Sequence, residues 1–284
     1  MWLAGPTASG KSALAMRLAA ARGGTVVCAD SMQVYAGLRV VTARPSGADE
    51  ARVPHALYGA VDPARRFSVG DWLRALDGLD APRPWIVTGG TGLYFSALER
   101  GLADVPPVPD EVRGRLEARL AGEGAPALHA TLAALDPEGG AALDPADGQR
   151  IARALGVLEA TGRPLRAWHG GGAHPVKAHR IVLEPPRALS RERIAARFHA
   201  MMEGGAVAEV RALLARSLDP TLPAMKAIGV REIAAMLGGH MTRDEATERA
   251  ITATRQYAKR QSTWFRNQFG SEWHRIAGTD EIDG

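Results

Sequence analysis

The segment that most restricts the fold is "GPTASGKS", Gly5 to Ser12. Glycine, four residues, glycine, lysine and a hydroxyl residue is the spacing of a loop that wraps backbone N–H groups around phosphate oxygens. Such a loop works between a strand and a helix. The strand fixes its entry, and the helix turns its partly positive N-terminus toward the anion. Both flanks are present. Trp2-Leu3-Ala4 is a short apolar run, which predicts an abbreviated first strand. "SALAMRLAAARGG" is alanine-rich, with apolar residues at helical spacing and glycines as a stop.

Further strands are predicted at "TVVCAD", ending in Asp30, at "PWIVTGG", ending at Thr88 and the glycines, and at "HRIVLE", His179–Glu184. Helical patterns lie between them. Strands alternating with helices give an α/β fold with a parallel sheet flanked by helices, whose ligand site lies at the strands' carboxyl ends. Asp30 and the Thr88–Thr91 turn are expected there, beside the loop. Prolines in "DVPPVPDEV", Asp104–Val112, open a composition shift, and helical segments follow through "GQRIARALGVLEATG". A second break, "WHGGGAHPVKAH", precedes the strand at His179. The expected organisation is an α/β core from 1–103 and 177–284, mainly helical over 190–270, with a helical insertion over 104–176.

Composition removes several functions. The 284 residues suffice for one large or two modest domains, and 46% apolar with 23% charged residues is ordinary for a globular chain. One cysteine, Cys28, excludes a disulfide framework within the chain and a multi-cysteine zinc site. The eight histidines lack ligand spacing, so no histidine metal site is expected. No signal peptide is evident and no apolar run reaches the ~18–20 residues of a membrane helix, which reads as cytoplasmic. The net charge of +4 is unevenly placed: Arg249 to Gln268 holds five basic residues and no acid, a local field that attracts phosphates.

Within that frame, Lys11 adds a point charge to the loop, and Ser12 is placed to bind a magnesium ion shared with the phosphates. A carboxylate ending the second strand, Asp30, could bind magnesium or take a proton from an attacking group; as a bland alternative it is an N-cap or a plain loop aspartate. Ser31 and Gln33 suit hydrogen bonds to a base or sugar. "TGGTGLY" gives Thr91 a glycine-rich setting near the same place. Met201 and Met202 read as core filling. Two functions stay open on these residues: a small-molecule or nucleoside kinase with ATP in the loop, and a transferase whose donor is not a nucleotide. No convincing apolar strand ends in a second, Walker-B-type aspartate, which counts modestly against the kinase.

Several separated motifs, in order, carry a resemblance that decides between them: "GPTASGKS", "ADSMQVY", "TARP", "GGTGLY", "DGQRIARALGVLEATG", "RFHAMM", "KAIGVRE" and "ATRQYAKRQSTWFRNQ". The chain resembles the tRNA dimethylallyltransferases, also called tRNA isopentenyltransferases, over almost its whole length. The resemblance implies a P-loop NTPase-like sheet and a loop, Gly5, Thr7, Ala8, Ser9, Gly10, Lys11 and Ser12, that holds the pyrophosphate of dimethylallyl diphosphate rather than ATP. It implies an acceptor, the exocyclic amine of the adenine 3′ of the anticodon, with magnesium as cofactor at Ser12. By the same carry-over Asp30 is the base, with Thr91 and Arg197 on the diphosphate; by pattern alone Arg197 is an ordinary helix-surface arginine.

The remaining motifs are implied to hold tRNA. Asp30, Ser31, Met32 and Gln33 would line the base pocket, and Arg113, Gln149, Arg150 and Arg153 would contact RNA from the insertion. Lys226 and Arg231 flank a turn-like "AIG", and Arg255 and Lys259 form with Arg266 a basic stripe whose plain reading is a solvated helix face. Three departures from the family pattern stand out. Only four residues precede Gly5, "RVVTARP" carries an arginine where "IGTAKP" is commoner, and the zinc finger of eukaryotic relatives is absent, which reads as a bacterial member. Alternatives within enzymes are an adenylate isopentenyltransferase or a nucleoside kinase; outside them, an RNA-binding protein that has lost catalysis. No protein partner is called for.

Overall fold

The computed structural model describes residues 1–168 and 178–282. Its sheet has the strands β1 (Trp2–Ala4), β2 (Thr25–Cys28), β3 (His55–Ala56), β4 (Trp85–Gly89), β5 (Arg180–Leu183) and β6 (Trp273–Ile276). All pair in parallel, in the order β3-β2-β4-β1-β5-β6. Short β1 is held on both sides, Leu3 lying opposite Thr88 of β4 and Ile181 of β5. Parallel strands covered on both faces need near-continuous apolar runs. The four predicted strands are such runs, and they form where expected. The two unpredicted ones lie at the edges. β3 is two residues long, and in β6 only Trp273 and Ile276 are buried while His274 and Arg275 face solvent, so neither reads as a buried strand.

The described helices are α1 (Lys11–Arg22), α2 (Gly47–Arg52), α3 (Val69–Asp77), α4 (Gly92–Arg100), α5 (Asp110–Glu123), α6 (Ala125–Leu135), α7 (Pro137–Ala141), α8 (Gly148–Thr161), α9 (Arg187–Glu203), α10 (Ala206–Ala215), α11 (Val230–Leu237) and α12 (Arg243–Gln268). The chain divides into two compact units, Met1–Glu99 with Pro175–Gly284, and Arg100–His174. The insertion expected over 104–176 thus corresponds to a unit that begins at Arg100. Most of the second expected break, 169–177, lies outside the described residues.

Strand alternation sorts the first unit's core. Leu3, Val26, Ile86 and Ile181 pack with Leu14, Ala15 and Leu18 of α1 on one face. Trp2, Val27, Val87 and Val182 pack on the other with Trp72, Phe95, Phe265, Phe269 and Trp273. A further cluster joins α9 to α12 with the segment after β2, through Tyr35, Leu38, Phe198, Val210, Ile233 and Ile251. At ~1.5–3 kcal/mol per large buried side chain, these layers fix the carboxyl end of the sheet and what stands over it. The second unit is its own helical bundle around Leu116, Leu128, Leu132, Ile151 and Leu155.

Candidate active site

The loop after β1 leaves the strand through a bond from Gly5 N to Gly89 O (3.3 Å) and enters α1 at Gly10, whose φ of 96° suits glycine. Ala8 also has a positive φ, 65°. A non-glycine residue held left-handed at a ligand loop is strain of the kind retained at functional sites. Of the loop residues expected on the diphosphate, Thr7, Lys11 and Ser12 line a cavity of 390 Å³. Gly5, Ala8, Ser9 and Gly10 shape the loop and do not line the cavity. The buried Ser9 hydroxyl accepts the Lys11 N–H at 3.4 Å, and its own N–H donates to Pro6 O. The Thr7 N–H is also committed, donating to Oε1 of Gln261 at 2.9 Å.

Asp30 follows β2 and lines the same cavity. Its Oδ1 accepts from the N–H groups of Met32 (3.0 Å) and Gln33 (3.3 Å), so it caps the turn that follows it. That leaves Oδ2 as the oxygen available for a proton. Thr91, in the turn after β4, accepts the Ser31 N–H on its hydroxyl (2.9 Å) and donates its own N–H to Ala29 O (3.3 Å). These bonds fasten the glycine turn to the Asp30 segment. Thr91 itself is a neighbour of the cavity wall through Ser31 rather than part of the lining.

Arg197 reaches the cavity from α9, and Lys226 from the short 3₁₀ turn Pro223–Lys226. Burial lowers the Lys11 pKa to about 8; Asp30 opposes that shift and Arg197 adds to it. Burial likewise lowers the Arg197 pKa, against a smaller opposing effect of Asp30. These couplings place three charges in one field. A buried cation without full compensation is costly until an anion arrives.

Met32 and Gln33 line the cavity too, but the Gln33 amide is engaged: its Nε2 donates to Thr42 O (2.8 Å) and Ala43 O (2.9 Å). Glu209 of α10 accepts from the N–H groups of Val40 (2.8 Å) and Val41 (3.0 Å). Together they pin the 40–43 segment as a cavity wall. Arg44, the unusual residue of "TARP", is not in that wall. It turns inward, donating to Tyr35 O at 3.2 Å, with Glu50 4.0 Å away. The rest of the wall is apolar: Val41, Ile194, Phe198, Met201, Ala227 and Ile228. Met201 is therefore both core and cavity lining, a correction to its reading as filling alone; Met202 lies in the core.

The largest omission from the sequence reading is α12. Its expected stripe, Arg255, Lys259 and Arg266, is exposed. Its other face adds Thr254, Tyr257 and Arg260 to the cavity and buries Gln261. Burial, and then the Asp30 charge, raise the Tyr257 pKa, and Arg260, Gln261 and Thr91 beside its hydroxyl oppose that rise. A signal was available: Thr254, Ala258, Gln261 and Phe265 follow the spacing of one helix face, and two polar residues on a buried stripe call for partners. The glycines of "GGTG" answer to this helix. A Cβ on Gly90 would stand 2.1 Å from Gln261 Nε2, and one on Gly92 2.1 Å from the Trp264 ring.

Oxygen donors in the cavity suit magnesium, which keeps few protein ligands and takes the rest from phosphates and water. Ser12, in the first turn of α1, and Asp30 share the lining. Among the described residues no three His, Cys, Asp or Glu side chains gather as a metal site. A metal here would therefore rely on its substrate.

The remaining expected RNA contacts lie elsewhere. Arg231 is exposed on α11, outside the cavity lining. In the helical unit Arg113 pairs with Asp110 (2.5 Å) and Arg150 with Asp147 (3.4 Å), while Gln149 and Arg153 are exposed on α8.

Comparison with known proteins shows the family. The family model described as IPP transferase matches residues 33–268, and one described as isopentenyl transferase matches residues 1–53. A tRNA dimethylallyltransferase of Methylobacterium sp. (strain 4-46) is 55% identical, the match covering 97% of this chain and 93% of the relative. One from Agrobacterium fabrum is 53% identical, covering 96% and 95%. The crystal structure of the full-length tRNA isopentenylpyrophosphate transferase of Bacillus halodurans superposes with a TM-score of 0.63 at 33% identity, covering 97% of this chain and 88% of that one.

Proposed function

The chain belongs to the tRNA dimethylallyltransferase family, and from that premise we propose that it transfers a dimethylallyl group from dimethylallyl diphosphate to the exocyclic amine of the adenine 3′ of the anticodon in tRNA, releasing pyrophosphate. The observation that carries this reading is the composition of one cavity. Lys11, Arg197, Lys226 and Arg260 share it with a single carboxylate, Asp30, and an apolar wall of Val41, Ile194, Phe198, Met201 and Ile228. That is a complement for a strongly anionic group joined to a short hydrocarbon.

The chemistry follows from those groups. As the allylic C–O bond breaks, its electron pair goes to the diphosphate, and Lys11 and Arg197 stabilise the growing charge. Arginine's planar fork suits paired phosphate oxygens. Magnesium, held by Ser12, would supply further neutralisation of the diphosphate. The adenine nitrogen forms the new C–N bond and its proton becomes acidic; Asp30 Oδ2 accepts it. Preorganised charge of this kind is worth ~3–4 kcal/mol per donor, and a general base ~10²–10⁴ in rate.

The target base must leave its stack, at a cost of a few kcal/mol that an unpaired anticodon loop lowers. In this reading Ser31, Met32 and Gln33 border the base, with Gln33 acting through the wall it fastens. Arg113, Gln149, Arg150 and Arg153 of the helical unit, with Lys226, Arg231, Arg255 and Lys259, hold the RNA. No described helix is long and apolar enough to cross a membrane, and an enzyme of tRNA is assigned to the cytoplasm.

Mass spectrometry of nucleosides from unmodified tRNA, incubated with protein, magnesium and dimethylallyl diphosphate, tests the proposal. One dimethylallyl group on the adenosine 3′ of the anticodon is expected. Prenylation of AMP in preference to tRNA would replace it with an adenylate isopentenyltransferase.

A further inference from the structure

Gln261 is a buried amide that touches two loops at once. Its Oε1 accepts the Thr7 N–H (2.9 Å) and the Thr7 hydroxyl (3.2 Å), and its Nε2 donates to Gly90 O (2.9 Å). Thr7 belongs to the phosphate loop; Gly90 precedes Thr91, which is bonded to Ser31 beside Asp30. The amide therefore spans the gap between the group that holds the donor and the group that takes the proton. The fit is close on both sides. Gln261 is 6% exposed, and Gly90 has room for no Cβ against it. Glutamine suits this place, because its amide presents an acceptor to one loop and a donor to the other.

The cost of placing it there supports a purpose beyond packing. A phosphate loop ordinarily keeps its N–H groups for the anion, yet Thr7 spends both its N–H and its hydroxyl on Gln261. Nothing in the sheet requires that bond: β1 and β4 are already paired. What the bond adds is a fixed distance between the loop and the Thr91 turn, supplied by a helix whose opposite face carries Arg255 and Lys259 in the open.

We propose that Gln261 is a positioning residue for the transfer reaction: its amide clamps the phosphate loop to the Thr91 turn, setting the donor's reacting carbon against the acceptor held by the Asp30 segment. The proposal rests on the function proposed above. Misplacement by about 1 Å costs on the order of 10²-fold in a reaction that depends on alignment, so the clamp acts on turnover more than on RNA affinity.

The test uses the full chain, with wild-type transfer to tRNA measured first. If the wild type transfers no prenyl group, the functional reading fails, and exchange of amide hydrogens still reads the clamp. Gln261→Leu removes both bonds. Gln261→Glu keeps the acceptor for Thr7 and opposes the Gly90 carbonyl, in nearly the same volume, and serves if the leucine variant does not fold. The expected result is a kcat lower by about 10- to 100-fold, with tRNA Kd within about twofold of wild type. Faster exchange is expected in peptides covering residues 5–12 and 89–92 and not in the helical unit. A kcat near wild type would overturn the proposal even if exchange rises, since the bond would then be merely structural. A lowered kcat with unchanged exchange in both peptides would also overturn it, because Gln261 would be acting by another route.

Discussion

The basic residues of the cavity and most of those of the helical unit carry the same charge and live under different conditions. In the helical unit Arg113 pairs with Asp110, Arg119 with Glu123, Arg150 with Asp147, and Arg166 with Asp136 and Glu138. In the cavity Lys11, Arg197, Lys226 and Arg260 face one carboxylate. Exposed pairs are worth ~0–1 kcal/mol, and an RNA phosphate must displace the resident acid to gain even that. Of the cavity cations, Lys11 and Arg197 are desolvated beside one acid, Asp30, and Lys11 shows the cost as a pKa lowered to about 8. The difference teaches where binding energy is concentrated: charge left uncompensated inside the protein is reserved for a ligand, whereas charge paired on its surface largely serves solubility and weak attraction.

The largest expected effect falls on the one acid of the cavity. Asp30→Asn keeps an oxygen for the Met32 and Gln33 N–H groups, so the turn survives while the base is lost. Turnover should fall by about 10²–10⁴ with donor affinity little changed; near-normal turnover in a rapid-quench assay would remove Asp30 as base. Next comes Arg197→Gln, which should lower kcat by about 10²–10³, as loss of one preorganised donor does. If only KM for the diphosphate rose, Arg197 would bind ground and transition states alike.

A pH titration reads the desolvated lysine. Free Lys11 loses its proton near pH 8 because burial lowers its pKa; an anion beside it favours the ammonium and raises that pKa again. Above pH 8 the free protein is neutral at Lys11 and the complex charged, so donor Kd should weaken up to about tenfold per pH unit, with proton uptake on binding. Calorimetry in buffers of different ionisation enthalpy measures both. A Kd flat to about pH 10, where an ordinary lysine titrates, would mean that Lys11 is not the group in contact.

The smallest effects belong to the surface. Replacing Arg255 and Lys259 together with alanine should reduce the slope of log K against log salt for tRNA by about 1.4, as two lost contacts to single-stranded phosphates would. Arg150→Ala, whose side chain already has Asp147, should weaken tRNA binding by less than the Arg255 and Lys259 double variant does, on the scale of an exposed pair, ~0–1 kcal/mol. Equal and large effects at both places would break the contrast between paired and unpaired charge.

Much of this arrangement was legible in the sequence because it is local. A phosphate loop needs its glycines and lysine in a fixed order, and buried parallel strands need unbroken apolar runs, so β1, β2, β4, β5 and the position of Asp30 follow from short windows. Edge strands were not legible: β6 sets two exposed residues, His274 and Arg275, between buried Trp273 and Ile276, and follows a long helical stretch. Cavity walls built by distant segments were not legible either. Met201, Tyr257, Arg260 and Gln261 acquire their roles only when α9 and α12 close over the loop, and their spacing alone is that of ordinary helix faces. Arg44 and Gln33 show the converse. In sequence Gln33 looks suited to a ligand and Arg44 stands out as a departure from the family pattern, and both spend hydrogen bonds on backbone carbonyls of the protein itself.

The central claim is that Lys11 and Arg197 hold the departing diphosphate while carbon passes to the RNA. A single-turnover experiment with dimethylallyl diphosphate labelled separately in the prenyl group and in the phosphorus tests it most directly. The account predicts prenyl label on the tRNA adenine and an equal amount of phosphorus label released as pyrophosphate, both slowed together by Arg197→Gln. Phosphorus label on the RNA, or pyrophosphate released while no prenyl label reaches the RNA, would contradict it.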